Sequence, residues 1–194
     1  MREPIFILGM ARSGTTTMAN VLGSHPKIYL VINGSEHWLL ENNYLVGLKD
    51  SETKSKQIKN LQKKYIDKFI LLKRPWKEDC PWFFERHFPN AKYIIMNREY
   101  KNISNSWKNN KWACNKTNYQ EIYEMRTKKI YSTFKNKLKN VLIVKLEDLI
   151  SSPKMTLTTI AKHLELKPQF DMSRLNDGKN WHKHLWKKYY KKED

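Results

Sequence analysis

Five short apolar runs, separated by segments with helical periodicity, restrict the fold of this 194-residue sequence more than any other feature. The runs are continuous rather than alternating, which is typical of strands buried on both faces of a parallel sheet. They are Ile5–Leu8, Ile28–Ile32, Phe69–Leu72, Tyr93–Met96 and Val141–Val144. Strands that alternate with helices predict a doubly wound α/β domain with a central parallel sheet of about five strands flanked by helices.

The segments between the strands carry apolar residues at helical spacing. The clearest helix is predicted to start with Ser152 as its capping residue and Pro153 in its first turn. Its expected buried stripe is Leu157, Ile160, Ala161 and Leu164. In a second helix, over 118–138, the expected stripe is Ile122, Ile130, Phe134 and Leu138.

Composition excludes several classes of protein. Hydrophobic residues make up 40% of the chain, which is enough to build a core and argues against disorder. No apolar run is long enough to span a membrane, the first residues lack the pattern of a signal peptide, and two cysteines cannot form a disulfide scaffold. We therefore expect one cytoplasmic domain over residues 1–194, with the packing of the tail 178–194 left open.

The chain is strongly basic, with 37 Lys and Arg against 19 Asp and Glu and a formal net charge of +18. Such a charge attracts nucleotides, nucleic acids, acidic polysaccharides or an anionic membrane surface. Thirty of the basic residues are lysines, however, and asparagine is also abundant, as the codon bias of an AT-rich genome would produce. The charge alone therefore does not select a partner.

The segment from Gly9 to Thr16 follows the first strand and leads into a helix, which is the position of a phosphate-binding loop. Both of its glycines fit the nucleoside-triphosphate pattern G-x-x-x-x-G-K-[ST], but Thr15 occupies the lysine position and the cation, Arg12, lies three residues earlier. This difference argues against ATP or GTP hydrolysis and favours a 5′-phosphate that carries one more anionic group. The predicted ligand-binding residues are Arg12, Ser13, Gly14, Thr15 and Thr16.

Residues 4–16 resemble the 5′-phosphosulfate loop of sulfotransferases that use 3′-phosphoadenosine 5′-phosphosulfate (PAPS). The likeness is to the arginine-bearing branch found in tyrosylprotein and many bacterial carbohydrate sulfotransferases, and it extends in the family's order to about residue 166. It implies PAPS as co-substrate, adenosine 3′,5′-bisphosphate as product, and transfer of a sulfuryl group to a hydroxyl or amine. No metal is expected, and the His and Cys residues lack a recognisable ligand spacing.

Residues 88–98 resemble the strand that leads into the family's 3′-phosphate motif, in which an arginine is followed eight residues later by a serine. Arg98 and Ser106 keep this spacing, with Ser104 as the competing hydroxyl. An arginine at a strand end offers a planar fork of donors to a phosphate. Tyr100 stands where the family usually has proline, which leaves the start of the next helix open. Two anion sites on successive crevices match a nucleotide phosphorylated at both the 3′ and 5′ positions, with the nucleoside between them.

The resemblance also implies the catalytic residues. Glu36 follows the second strand, where the arginine branch carries a catalytic Gly-Glu element, and is predicted to be the general base; His37 is its direct competitor. Lys73 lies in a segment that resembles the family's K-x-P motif and is predicted to stabilise the transferring group together with Arg12. In-line displacement would then depend mostly on positioning and electrostatics.

Residues 141–166 resemble a further stretch of the sulfotransferase family, in which Glu147 and Asp148 are expected to cap a strand end rather than to form a catalytic carboxylate pair. The aromatic and lysine-rich tail is expected to pack on the domain, with contact to a membrane surface or sugar rings as the weaker alternative.

We therefore predict a PAPS-dependent sulfotransferase built as a single α/β, P-loop-like domain. The basic surface favours a carbohydrate, a glycolipid or another anionic small molecule as acceptor. Two alternatives come from other classes. One is a nucleotide or small-molecule kinase with a variant P-loop, which would require magnesium and ATP. The other is a basic nucleic-acid-binding module, for which binding would depend steeply on salt; no nucleic-acid partner is expected, because no groove-reading or base-stacking motif is recognised.

Overall fold

The computed structural model describes residues 2–10, 12–31, 48–75, 81–109 and 119–175. Five strands form one sheet in the order β2-β3-β1-β4-β5, and every neighbouring pair is parallel. The strands are β1 Ile5–Gly9, β2 Ile28–Leu30, β3 Phe69–Pro75, β4 Lys92–Asn97 and β5 Val141–Lys145. The predicted α/β fold with a five-stranded parallel sheet is confirmed.

Helices connect the strands. They are α1 Thr15–Gly23, α2 Leu48–Lys64, α3 Pro81–His87, α4 Tyr100–Asn109, α5 Tyr119–Lys137, α6 Leu146–Ser151 and α7 Pro153–Leu164, followed by a 3₁₀ turn at Met172–Leu175. The sequence did not predict α6, which starts directly after β5 and occupies a region read from the sequence as a turn. No helix within the described ranges is both long and apolar enough to cross a membrane.

Apolar side chains on the two faces of the sheet form two cores. Successive residues of a strand point to opposite faces, so Phe6 and Leu8 of β1 pack in one core and Ile5 and Ile7 in the other. All five residues of β1 are buried, which explains why its sequence is continuously apolar instead of alternating.

Helix α7 follows its prediction, except that its capping residue makes no side-chain hydrogen bond. Leu157, Ile160, Ala161 and Leu164 are all buried, and Pro153 lies in the first turn as expected. Ser152 occupies the N-cap position as predicted, but its side chain makes no cap hydrogen bond; its backbone N–H donates to Asp148 O of the preceding short helix. In α5 the predicted Phe134 and Leu138 are buried.

The order of the strands leaves a crevice beside the end of β1. The chain leaves β1 for β2 on one side of the sheet and leaves β3 for β4 on the other side. Ligands of open α/β sheets bind where the connections diverge in this way, at the carboxyl ends of the strands. The register puts Gly9 of β1 level with Pro75 of β3 and Met96 of β4, so the three strands end together at this edge.

Candidate functional site

Two glycines allow the chain to make its tight turn after β1. A Cβ at Gly9 would lie 2.7 Å from the backbone oxygen of Met96, so only glycine fits where β1 passes β4. Gly14 has a φ of 93° and a Cβ there would lie 2.6 Å from Cδ1 of Leu146. Gly9 and Gly14 both have a positive φ, and glycine alone adopts such backbone conformations freely. The glycines of the predicted phosphate loop are therefore required by the packing of the loop itself.

Arg12 lies at the turn of this loop with a φ of 70°. A left-handed conformation costs a residue with a side chain about 1–2 kcal/mol, and such strain persists only where the surroundings fix it. Two long-range hydrogen bonds do so here. Arg98 donates from a terminal nitrogen to the backbone oxygen of Arg12 at 2.9 Å, and Arg12 donates from Nε to Oγ of Ser106 at 2.9 Å.

Arg12, Arg98 and Ser106 therefore form one hydrogen-bonded cluster, although the sequence separates Arg12 from the other two by 86 and 94 residues. The loop after β1, the turn after β4 and helix α4 each contribute one of them. We expected two anion sites in successive crevices with a nucleoside between them, whereas the structure joins the two sets of residues directly. The 3′ and 5′ oxygens of a nucleotide are carried by the same ribose, so a contiguous site suits such a ligand.

Burial and charge both act on the two arginines. Burial lowers the pKa of each guanidinium, and the neighbouring charge of Arg98 lowers the pKa of Arg12 further. Glu147 acts in the opposite direction and raises the pKa of Arg98. Arginine keeps its charge in proteins, so the cluster brings two half-buried positive charges together. An anion bound beside both would relieve their mutual repulsion.

Lys73 brings a third cation to the same edge of the sheet. Its Nζ donates to Oγ1 of Thr16 at 3.0 Å, which attaches the end of β3 to the first turn of α1. The N–H groups of a first helical turn have no acceptor within their own helix, and they favour negative charge nearby. Lys73 and Thr16, predicted from separate motifs, thus meet at the start of α1.

Ser13 and Thr15 lie deeper than the other loop residues. The backbone N–H of Ser13 donates to the oxygen of Met10 at 3.1 Å. Its hydroxyl is buried and makes no hydrogen bond with the described part of the chain. Thr15 is buried as well, whereas Thr16 is half-buried and meets Lys73. In this conformation the loop presents Arg12 and Thr16 more openly than Ser13 or Thr15.

The predicted base and its competitor, Glu36 and His37, lie outside the described residues, as does the tail 178–194. Ser104, the competing hydroxyl on α4, is half-buried. The predicted roles of these residues stay predictions. Among the described residues, no three His, Cys, Asp or Glu side chains lie close enough together to hold a metal ion.

The turn after β4 contains residues that sequence reasoning missed. The N–H of Arg98 donates to Oδ1 of Asn97 at 2.8 Å, and the hydroxyl of Tyr123 on α5 donates to the carbonyl oxygen of Arg98. Glu147 accepts hydrogen bonds through Oε1 from Nδ2 of Asn102 at 2.8 Å and from the N–H of Glu99 at 3.3 Å.

A sequence signal for Tyr123 did exist. Tyr123, Thr127, Tyr131, Phe134 and Leu138 recur at helical spacing and form a second possible stripe beside the one we chose. The side chains of Ile122 and Ile130, which belong to the predicted stripe, are not among those that the structure describes.

Glu147 was expected to cap a strand end, whereas it lies in the first turn of α6 and its side chain contacts the start of α4. Burial acts to raise the pKa of Glu147, but the hydrogen bonds from Asn102 and from the N–H of Glu99, with the nearby charge of Arg98, outweigh burial and hold the pKa below its ordinary value. Glu147 is therefore ionised at neutral pH and joins α6 to α4. Tyr100, which stands at the family's proline position, is the first residue of α4, so the helix starts without a proline.

Comparisons with known proteins agree with this architecture. Residues 4–69, which is 66 of the 194 residues, match the sequence model described as the sulfotransferase family. No curated protein matches the sequence significantly.

Several solved structures share the fold. The sulfotransferase domain of the Synechococcus PCC 7002 olefin synthase superposes with a TM-score of 0.62 at 20% identity, covering 91% of this chain and 81% of that one. A sulfotransferase from Alicyclobacillus acidocaldarius gives 0.55 at 16% identity, with 89% and 85% covered. A mouse sulfotransferase complexed with PAP gives 0.56 at 18% identity, with 91% and 63% covered. Identities this low show a common fold.

The sheet order and the loop after β1 define an α/β protein of P-loop-like architecture. Residues 4–69, which include that loop, are similar to the sulfotransferase family, and the solved sulfotransferase structures share the fold of the chain.

Proposed function

We propose that this protein is a sulfotransferase that uses PAPS as its donor and releases adenosine 3′,5′-bisphosphate. The observation that carries the proposal is the cluster of Arg12, Arg98 and Ser106 at the carboxyl ends of β1 and β4. Two half-buried guanidinium groups and a helix N-terminus offer charge-assisted hydrogen bonds to more than one phosphate group. A doubly phosphorylated nucleotide fits this donor set better than a singly phosphorylated one.

Each part of the cluster has a proposed role. Gly14 and Thr16, with the loop backbone at Ser13 and Thr15, would hold the 5′-phosphosulfate at the start of α1, and Arg12 would neutralise its charge. Arg98 and Ser106 would bind the 3′-phosphate. The hydrogen bond between Arg12 and Ser106 supports a single continuous site, because it makes the geometry of one half depend on the other.

For the transfer we propose in-line displacement without a metal. The acceptor oxygen or nitrogen attacks sulfur, the bond from sulfur to the bridging phosphate oxygen breaks, and the acceptor proton passes to a base. Lys73, held by its hydrogen bond to Thr16, would stabilise the charge that develops on the leaving oxygen. The base would be Glu36, with His37 as the competitor.

For the acceptor we propose a hydroxyl or amine on a carbohydrate or another anionic molecule. The net charge of +18 supports this class, because a positive surface raises the local concentration of anionic substrates.

Thermal melting with nucleotides tests the choice of donor. Adenosine 3′,5′-bisphosphate without magnesium should raise the melting temperature, since a ligand that binds only the native state stabilises it, by about 2.7 kcal/mol at a hundredfold excess over its dissociation constant. Adenosine 5′-monophosphate at the same concentration is the matched control and should give a smaller shift. A larger shift with ATP and magnesium would instead favour a kinase.

The proposed base is tested by substitution. Glu36→Gln should leave the affinity for the bisphosphate nearly unchanged and abolish transfer of labelled sulfate from PAPS, because the amide cannot accept the proton. If Glu36→Gln stays active and His37→Gln does not, the base is His37.

A further inference from the structure

Arg98 lies at a point where the sheet no longer satisfies the backbone. The last residue of β4 is Asn97, which pairs with Lys145 of β5, so the polar groups of Arg98 fall just beyond the ladder. Side chains bond the N–H and the carbonyl oxygen of Arg98 in place of a neighbouring strand. Asn97 accepts the N–H of Arg98 at 2.8 Å, and the hydroxyl of Tyr123 donates to its carbonyl oxygen. The backbone of Arg98 is thus held on both sides before its side chain leaves toward Arg12.

Tyr123 is itself held firmly. Its side chain is buried, its hydroxyl also lies 3.5 Å from Oδ1 of Asn97, and its ring packs at 5.3 Å, centroid to centroid, on the ring of Tyr100 at the start of α4. Tyr123 therefore contacts both the turn that carries Arg98 and the helix that carries Ser106. A hydroxyl fixed in this way restrains the peptide that follows Arg98 and, through it, the direction of the Arg98 side chain.

We propose that Tyr123 is a positioning residue that orients Arg98 toward the 3′-phosphate of the nucleotide. The inference rests on the proposed function, and it adds a residue from α5 to a site that the sequence assigned to the first 106 residues. Because Tyr123 acts through the backbone of Arg98, its loss reduces the discrimination between nucleotides with and without a 3′-phosphate. A residue that only stabilised the fold would not change this discrimination.

The same helix supplies a matched control. Tyr131 lies eight residues after Tyr123, and both tyrosines line the small pocket beneath Arg98. The hydroxyl of Tyr131 is buried and makes no hydrogen bond with any described residue. Tyr131→Phe therefore removes an equivalent phenolic hydroxyl from the same helix without releasing Arg98.

The experiment measures, by calorimetry, the affinities of wild type, Tyr123→Phe and Tyr131→Phe for adenosine 3′,5′-bisphosphate and adenosine 5′-monophosphate. Tyr123→Phe should weaken bisphosphate binding about fivefold, as the loss of one net hydrogen bond implies, and monophosphate binding less than twofold. Tyr131→Phe should change neither affinity beyond twofold. Equal losses for both ligands with Tyr123→Phe, or no loss, would overturn the assignment.

A second variant covers the case in which Tyr123→Phe does not fold. Asn97→Ala removes the acceptor of the Arg98 N–H and should give the same selective loss of bisphosphate affinity. Retained discrimination in Asn97→Ala would contradict the positioning role. The wild-type titration separates this inference from the proposed function: wild type that shows no preference for the bisphosphate refutes the proposed donor, whereas wild type with a preference that Tyr123→Phe retains refutes only the role of Tyr123.

Discussion

The turn after β1 and the turn after β4 deliver the two arginines of the site by different means. The first turn, around Arg12, combines local backbone features with long-range support: Ser13 donates to Met10 three residues back and Gly14 takes up a positive φ, while Arg98 and Ser106 hold Arg12. The second turn, residues 97–99, contains no glycine and no positive φ. It depends on side chains from farther along the chain, namely Tyr123 and Glu147.

This difference separates a local motif from an assembled site. The glycines and backbone bonds of the first turn form a short pattern that a sequence displays directly, while the second turn has its geometry only after α5 and α6 have packed. The two turns meet at the hydrogen bond from Arg98 to the oxygen of Arg12. Substitutions within the first turn should therefore act on folding, and substitutions around the second should act on ligand selectivity.

The largest effect should come from Gly14→Ala. The added Cβ meets Leu146 at 2.6 Å and the residue must keep a φ of 93°. Left-handed strain of about 1–2 kcal/mol and overpacking of about 1–3 kcal/mol together predict a loss of about 3 kcal/mol in the free energy of unfolding, measured by urea denaturation.

The double variant Gly14→Ala with Leu146→Ala separates the two causes. Removing the Leu146 methyl groups relieves the clash but not the φ strain, so a double-mutant cycle should give a favourable coupling energy of about 1 kcal/mol or more. If the two effects add, the contact with Leu146 does not explain the requirement for glycine.

Arg98→Ala tests the connection between the turns. It removes the proposed ligand of the 3′-phosphate and also the donor to the Arg12 carbonyl. Affinity for adenosine 3′,5′-bisphosphate, measured by calorimetry, should fall about 10- to 100-fold, in the range for hydrogen bonds to charged groups. Affinity for adenosine 5′-monophosphate should fall only a few-fold, because the bond of Arg12 to Ser106 and the backbone bond of Ser13 still support the first turn. Equal losses for the two ligands would show that Arg98 acts on the loop and not on the 3′-phosphate.

The smallest effect is expected for Ser106→Ala, which removes the acceptor of the Arg12 Nε bond at 2.9 Å. Bisphosphate affinity should fall about three- to tenfold, as the loss of one hydrogen bond implies. Ser104→Ala, two positions earlier on α4, is the control and should stay within twofold of wild type. A larger loss for Ser104→Ala would show that the hydroxyl of Ser104, and not that of Ser106, binds the 3′-phosphate.

Much of the fold was predictable because the apolar runs of a buried parallel sheet are unambiguous. Strand β1 was expected at Ile5–Leu8 and is observed at Ile5–Gly9, and the stripe of α7 is buried as expected. The failures fall where short-range patterns compete. Ser152 takes the N-cap position of α7 but lies between two consecutive helices, and its side chain makes no cap hydrogen bond.

At the site, the sequence identified residues better than their arrangement. Arg12, Arg98 and Ser106 were each expected to bind an anion, but the expectation of two separated crevices missed their direct contact. Tyr123 and Asn97 were missed as site residues because both act on the backbone of Arg98. The helical stripe that includes Tyr123 marks only a buried face, and no spacing pattern marks a bond to a backbone carbonyl or N–H.

The sequence by itself determined the parallel sheet, the glycine turn after β1 and the basic character of the surface. All three follow from properties of the individual residues: which can be buried on both faces, which can take a positive φ, and how many carry charge. Only the tertiary structure decided that the guanidinium of Arg12 meets Ser106, that Lys73 meets Thr16 and that Tyr123 holds the peptide of Arg98. Such bonds join residues up to 94 positions apart, and they form only when hydrophobic burial has already paired the strands and packed the helices on them.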